Sequence, residues 1–173
     1  MEIKTLTPVE RLQLINQFKI LEKLYPEDAT DYAESRDIIA HGYTIQYDDV
    51  FSEVFEEIDI EDSKYVYDVL DLHRLLIRSY EELTDKAGLT LEDVRFRGFD
   101  GNNESKRHAF VEHLRKQKKW TETLTGGLNS HSMMTMSRYP RMLEKFAPIQ
   151  EQIIASHTGI WLLTAEQIRE VIS

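Results

Sequence analysis

From Ser63 to Leu83 the chain runs without Gly or Pro, and Val66, Val69, Leu70, His73, Leu76, Ile77, Tyr80 and Leu83 recur at steps of three and four. That spacing is the helical period, and it gathers the apolar residues onto one wide face. Lys64, Asp68, Asp71, Arg74 and Arg78 fall largely on the other side. The pattern predicts a long amphipathic helix over 63–83. A helix of that length holds its apolar face only by burying it against several others, so the remaining elements are expected to gather around it.

Upstream, Thr7-Pro8-Val9-Glu10 is a helix start: Thr7 caps, Pro8 suits the first helical position and Glu10 completes a capping box. Val9, Leu12, Ile15, Phe18, Leu21 and Leu24/Tyr25 are read as its buried stripe, and Pro26 as its end. A second helix is expected from about Thr30 to His41, burying Tyr32, Ile38 and Ile39 and stopping at Gly42. A third is expected over Ile45 to Ile58, with Val50, Phe51, Val54, Phe55 and Ile58 turned inward.

After Thr84 the pattern changes. Leu89 to Asn103 mixes β-formers with turn residues, which predicts a short irregular or β-like insert near 94–99. Asp100-Gly101-Asn102-Asn103 reads as a turn that caps a helix over about Glu104 to Lys118, with Phe110, Val111 and Leu114 buried. Trp120 to His131 is polar, carries Gly126-Gly127 and reads as a mobile loop. Ser132 to Phe146 is helical in tone, but Pro140 is expected to kink it or to begin it anew. Thr164-Ala-Glu-Gln167 is a second capping box, opening a terminal helix that buries Ile168, Val171 and Ile172.

Composition narrows the class further. The 173 residues include 7 Gly, 4 Pro and no Cys, with 41% hydrophobic and 30% charged residues. Disorder is disfavoured, and helices are favoured over a many-turned β fold. The absence of cysteine excludes disulfides, thiolate metal sites and cysteine nucleophiles, and suits a reducing cytoplasm. The N-terminus lacks an apolar signal-like core and no long uncharged apolar run follows, so neither a signal peptide nor a membrane span is expected.

The net charge is −10, from 21 Lys and Arg against 31 Asp and Glu. Between Glu27 and Asp71 the only bases are Arg36 and Lys64. Between Arg95 and Lys119 eight bases face only Asp100, Glu104 and Glu112. Such runs read either as solvated helix faces or as complementary patches that pair between copies, with Tyr43, Tyr47, Phe51 and Trp120 as an apolar centre. Duplex DNA is disfavoured as a partner, because the overall field repels phosphate backbones.

No phosphate-cradling glycine loop, dinucleotide fingerprint or nucleophile elbow occurs. His108 and His113 are five residues apart and miss the one-turn spacing of a zinc helix, so no metal site and no cofactor is called for. His73 reads as a core histidine satisfied by neighbours such as Tyr65 or Tyr80; the competing reading is a buried base or ligand. Arg36/His41 and Arg107/His113 match the Arg-x4–6-His spacing of metal-independent HEPN ribonucleases. With 6 histidines in the chain, about one such match is expected by chance. Arg97, Asp100, Trp120 and His131 stand as candidate binding residues in the irregular region.

Four stretches taken together resemble the YfbU family of bacterial proteins: Arg11-Leu-Gln-Leu-Ile-Asn-Gln-Phe-Lys19, Ile39-Ala-His-Gly-Tyr43, Phe96-Arg-Gly-Phe-Asp100 and Tyr139-Pro-Arg-Met-Leu143. The likeness runs from about Leu6 to the C-terminus, with Pro140 a departure from the family pattern. It implies a cytosolic, multihelical protein and carries over no catalytic residue. The fold class expected is therefore all-α, a multihelical bundle around helix 63–83. The chain is read as one domain over 1–173, with division into 1–85 and 86–173 as the alternative. The function expected is a non-enzymatic, self-associating interaction or regulatory module, a dimer or larger even assembly. The competing class is the HEPN-like ribonuclease, which would converge its Arg and His in a cleft.

Overall fold

The computed structural model describes residues 5–157, 159 and 161–173. Among them are eight α-helices: α1 (Pro8–Leu24), α2 (Ala29–His41), α3 (Tyr47–Val50), α4 (Ile60–Glu82), α5 (Leu91–Val94), α6 (Ser105–Lys116), α7 (Met134–Ala155) and α8 (Ala165–Ile172). The described residues form no strand, and their one isolated bridge pairs Phe99, at the end of the insert that the β-formers mark, with Asn129 in the stretch 120–131. The fold is all-α. By its contacts the chain forms two compact units, Met1–Glu57 and Ile58–Ser173.

In the first unit α1 packs on α2. The capping box forms: Glu10 N–H donates to Thr7 Oγ1 at 3.3 Å and Thr7 N–H donates to Glu10 Oε2 at 2.7 Å. α2 ends at Gly42, whose φ of +71° is the left-handed conformation that glycine adopts without strain. Arg11 reaches from α1 to the end of α2, donating to the Ile39 carbonyl at 2.8 Å and the Ala40 carbonyl at 2.6 Å. A cation there satisfies orphan carbonyls and meets the negative end of the helix dipole. Ile38, Ile39 and Tyr47 form the buried core, against which Leu14, Ile15 and Phe18 pack half-buried.

Two expectations fail here. The third helix stops at Val50 instead of running to Ile58, and Val54 and Phe55 are exposed. A longer helix would stack Asp49, Glu53 and Glu57 at successive one-turn spacings with no base between them, and like charges at that spacing destabilise a helix. The expected stripe of α1 is also only partly inward: Val9, Leu12 and Leu24 are exposed. Residues at strict steps of three drift about 60° backwards per step around a helix, so one neighbour cannot cover them all.

The second unit is built on α4, which is capped by Asp59 (Asp62 N–H to Asp59 Oδ1, 2.7 Å). Val66, Val69, Leu70, Leu72, His73, Leu76 and Ile77 are buried, while Tyr80 and Leu83 sit half-buried at the rim. α4 contacts α5, α6, α7 and α8, all of which follow residue 86. A division at 85/86 would cut this core in two, and the contacts instead divide at 57/58.

α7 runs unbroken through Pro140 and Pro148. Each proline inside a helix costs about 3 kcal/mol, so the two cost about 6 kcal/mol. Burial of Tyr139, Met142, Phe146 and Ile149, worth about 1.5–3 kcal/mol each, outweighs that. The stretch 120–131 is irregular but anchored. Leu124 and Leu128 enter the core, and the Trp120 indole donates to Asp71 Oδ1 at 2.7 Å. Gly98, at φ +85°, crosses this stretch so closely that a Cβ there would lie 2.1 Å from the Leu128 carbonyl oxygen. The terminal helix α8 is capped by the Thr164/Gln167 box and buries Ile168 and Val171, with Ile172 half-buried.

Candidate functional site

Within neither Arg/His pair do the two side chains come together. Residues five apart on a helix stand about 140° apart and residues six apart about 120°, so neither pair shares a face. Arg36 is tied to Glu22 at 2.7 Å, while His41 is exposed, contacts the Asp37 carboxylate at 3.2 Å and stacks on Tyr43. Arg107 donates Nε to Asp62 at 2.8 Å and Nη1 to Glu104 at 2.9 Å, and its guanidinium lies 4.5 Å from the Tyr65 ring centroid. His113 is exposed and accepts from Gln117 Nε2 at 2.8 Å in the matching tautomer. The Arg107–Asp62 pair also joins the basic run to the acidic run within one chain.

The four candidate binding residues play distinct parts. Asp100 is buried and accepts from Asn102 N–H at 3.1 Å and Asn103 Nδ2 at 2.6 Å. These donors, first Asn103, hold its carboxyl below the usual range. It shapes the turn before α6. Trp120 is clasped between Tyr67, at 4.9 Å between ring centroids, and Arg74, at 5.3 Å from its ring. His131 is exposed beside Asn129. Arg97 is exposed, and its backbone N–H donates to the Tyr139 hydroxyl at 3.2 Å.

His73 is fully buried among Phe96 and Tyr139, with its ring edge-on to both. Its Nδ1–H donates to the Val94 carbonyl at 2.8 Å, so neither Tyr65 nor Tyr80 is its partner. Nε2 is buried without a hydrogen bond. Desolvation, aided by Arg138 and Arg97, pushes its pKa down to about 4 against the opposing pull of the Val94 bond. The ring is neutral at pH 7, faces no carboxylate and serves packing. Among the described residues no group of three His, Asp or Glu is placed to hold a metal ion, and no helix is long and apolar enough to cross a membrane.

What is unpartnered is apolar. None of the 17 residues of α1 is buried, yet Val9 is 66%, Leu12 58%, Ile20 58% and Leu24 64% exposed. At about 100° per residue, Val9, Leu12 and Ile20 lie within about 40° of Asn16, with Leu24 at about 80°. Leu14, Phe18 and Leu21, which are half-buried on the α2 side, lie about 140–200° away. α1 therefore has two apolar faces, one on α2 and one in solvent. The even spacing of hydrophobes around the helix was the available signal in the sequence. In the second unit a groove of about 550 Å³ is floored by Leu72, Leu75 and Phe146. Its rim mixes Asp68 and Asp71 with Arg74 and Arg78, and so selects no ligand charge.

The family model described as the YfbU domain matches residues 4–173. A UPF0304 protein of Methanocaldococcus jannaschii is 34% identical over 147 residues, covering 80% of this chain and 86% of that protein. A UPF0304 protein of Actinobacillus succinogenes is 34% identical over 101 residues, covering 58% of this chain and 61% of that protein. Neither name states an activity.

Proposed function

The chain belongs to the YfbU family, and we propose that this protein is a cytoplasmic, non-enzymatic interaction module that self-associates through the exposed face of α1. The observation that carries the proposal is the solvent-facing stripe Val9, Leu12, Asn16 and Ile20. A two-fold contact needs a self-complementary surface. This stripe supplies one: in an antiparallel pairing centred on Asn16, Leu12 of one copy opposes Ile20 of the other, and the two Asn16 amides face each other across the axis. A polar pair at the centre of such a seam fixes its register. Val9 then meets the aliphatic stem of Lys23 from the other copy. The core of the first unit is small, with Ile38, Ile39 and Tyr47 its fully buried residues, so covering a second face adds materially to its stability. Tyr47 is buried and Trp120 is clasped on α4, so neither serves as the apolar centre first assigned to them. The lack of cysteine suits the reducing cytoplasm.

Sedimentation at micromolar concentration tests this. The wild type should run as a dimer or larger even assembly at low and moderate salt, since apolar burial is not screened. Leu12→Glu with Ile20→Glu should give a monomer with unchanged helicity by circular dichroism. A monomeric wild type, or an unaffected double variant, refutes the proposal.

A further inference from the structure

Three arginines converge where α7 begins. Arg138 and Arg141 come from successive turns of α7, and Arg97 from the segment between α5 and α6. They line a cavity of about 300 Å³ together with Ser130, Ser132 and Ser137. No Asp or Glu lines it. The charge is answered only at a distance, by the Asp93 carboxylate, which interacts with Arg97 and Arg138. Arg138 Nη2 donates to the Asp93 carbonyl at 3.2 Å, and Arg97 Nη2 donates weakly to the Glu92 carbonyl at 3.5 Å. Both acceptors are neutral backbone oxygens. Arg138 Nε is buried with no partner. Arg141 makes no ion pair or hydrogen bond among the described residues. The Asp93 carboxylate is occupied at the start of α5, accepting from Thr90 Oγ1 at 2.7 Å and Thr90 N–H at 2.8 Å.

Three guanidiniums with no carboxylate lining their cavity repel one another, a cost that Asp93 offsets only in part from outside it. Desolvation, then Arg97 and Arg141, shift the Arg138 pKa below the ordinary arginine value, against the opposing pull of Tyr139 and Asp93. A purely structural cluster would lower the cost with an acid, as Arg107 does with Asp62 and Glu104. An anion does the same. The start of α7 lies beside the cavity, and its dipole favours an anion there although its first amide, Met134 N–H, already donates to Ser132 Oγ at 3.2 Å. Planar guanidinium forks match phosphate oxygens two at a time, and hydroxyls supply further donors. Met134 and Ile172 give the wall an apolar part. The volume is at the small end of ligand sites and suits one phosphate with a short carbon skeleton rather than a dinucleotide.

We propose that the cavity formed by Arg97, Arg138, Arg141 and the Ser130–Ser132 hydroxyls binds the phosphate group of a small phosphorylated metabolite. This site is independent of the α1 surface, and its test does not depend on association.

Titration calorimetry with glycerol phosphate and with inorganic phosphate, on the full chain, tests it directly; the two probes tell an ester from free phosphate. Heat of binding should be seen at submillimolar to low millimolar probe. Arg97→Gln and Arg141→Gln, both at exposed positions, should each weaken binding by about tenfold or more, and Arg141→Lys should recover only part, because lysine lacks the fork. Arg78→Gln, on the far groove, should change nothing. Glycerol phosphate binding should also weaken as pH falls through about 6, where the ester's dianion is lost, while sulfate binding should not. Absence of binding by both probes overturns the proposal. So does binding indifferent to Arg97 and Arg141, or binding confined to a phosphoserine peptide.

Discussion

Acidification from about pH 7 to about pH 5 should remove about 2 kcal/mol of stability from the second unit through His73 alone. The ring is fully buried with its pKa pushed down to about 4, whereas in the unfolded chain it titrates near 6.5. Between those values the unfolded state binds more protons than the folded state, so stability falls as pH drops through the window and levels off below about 4 for this group. At pH 7 about a quarter of unfolded rings are protonated, and at pH 5 nearly all are, which gives the figure above. The carboxylates held low by their partners, such as Glu10, Asp93 and Glu166, lose their contributions further down, from the ordinary carboxylate range to below it. Urea denaturation at several pH values checks this, with His73→Leu as reference. Leucine removes the titration but also strips the Val94 carbonyl of its donor, so the variant is weaker at pH 7. The decisive quantity is the slope: the wild type should lose about 2 kcal/mol more than His73→Leu between pH 7 and pH 5. Equal pH dependence in both proteins would refute the reasoning and place His73 in contact with water.

Other substitutions probe the frame. Leu76→Ala, at a fully buried site on α4, should cost about 2–5 kcal/mol in urea denaturation, because it leaves a cavity. An unchanged midpoint and slope would mean that the buried face of α4 is wrong. Thr7→Ala should cost about 1 kcal/mol and speed amide exchange in the first turns of α1. Gly98→Ala should cost more than about 3 kcal/mol, since it combines a left-handed backbone with a Cβ driven into the Leu128 carbonyl; a thermal shift of only a degree or so would contradict that.

The parts of this structure that were legible in the sequence are those governed by neighbours in sequence. Both capping boxes, the stop at Gly42 and the inward face of α4 need only residues within a turn or two of each other. Contacts between distant segments were not legible. Arg107 finds Asp62 45 positions away. His73 finds the Val94 carbonyl, a backbone group with no sequence signature. Tertiary packing carried α7 through two prolines that local rules would treat as breaks. The arginine cavity needed Arg97 brought to Arg138 and Arg141, and only Arg97 lies in the basic run 95–119. For α1 the pattern was visible but ambiguous, because hydrophobes all round the helix do not say which face meets α2.

Single-cysteine cross-linking tests the central claim, the antiparallel contact of two α1 helices, most directly. The chain has no native cysteine, so each introduced thiol reports alone. Two residues cross-link only when their Cα atoms come within about 7 Å, and on a two-fold axis that holds only for the residue that meets itself. Under mild oxidation Asn16→Cys should run as a covalent dimer, and Leu12→Cys should not, because its opposite residue is Ile20. Restoring a partner in the double variant Leu12→Cys, Ile20→Cys should bring the dimer back. A Leu12→Cys dimer formed as fast as the Asn16→Cys dimer, or no dimer from Asn16→Cys, would contradict the account.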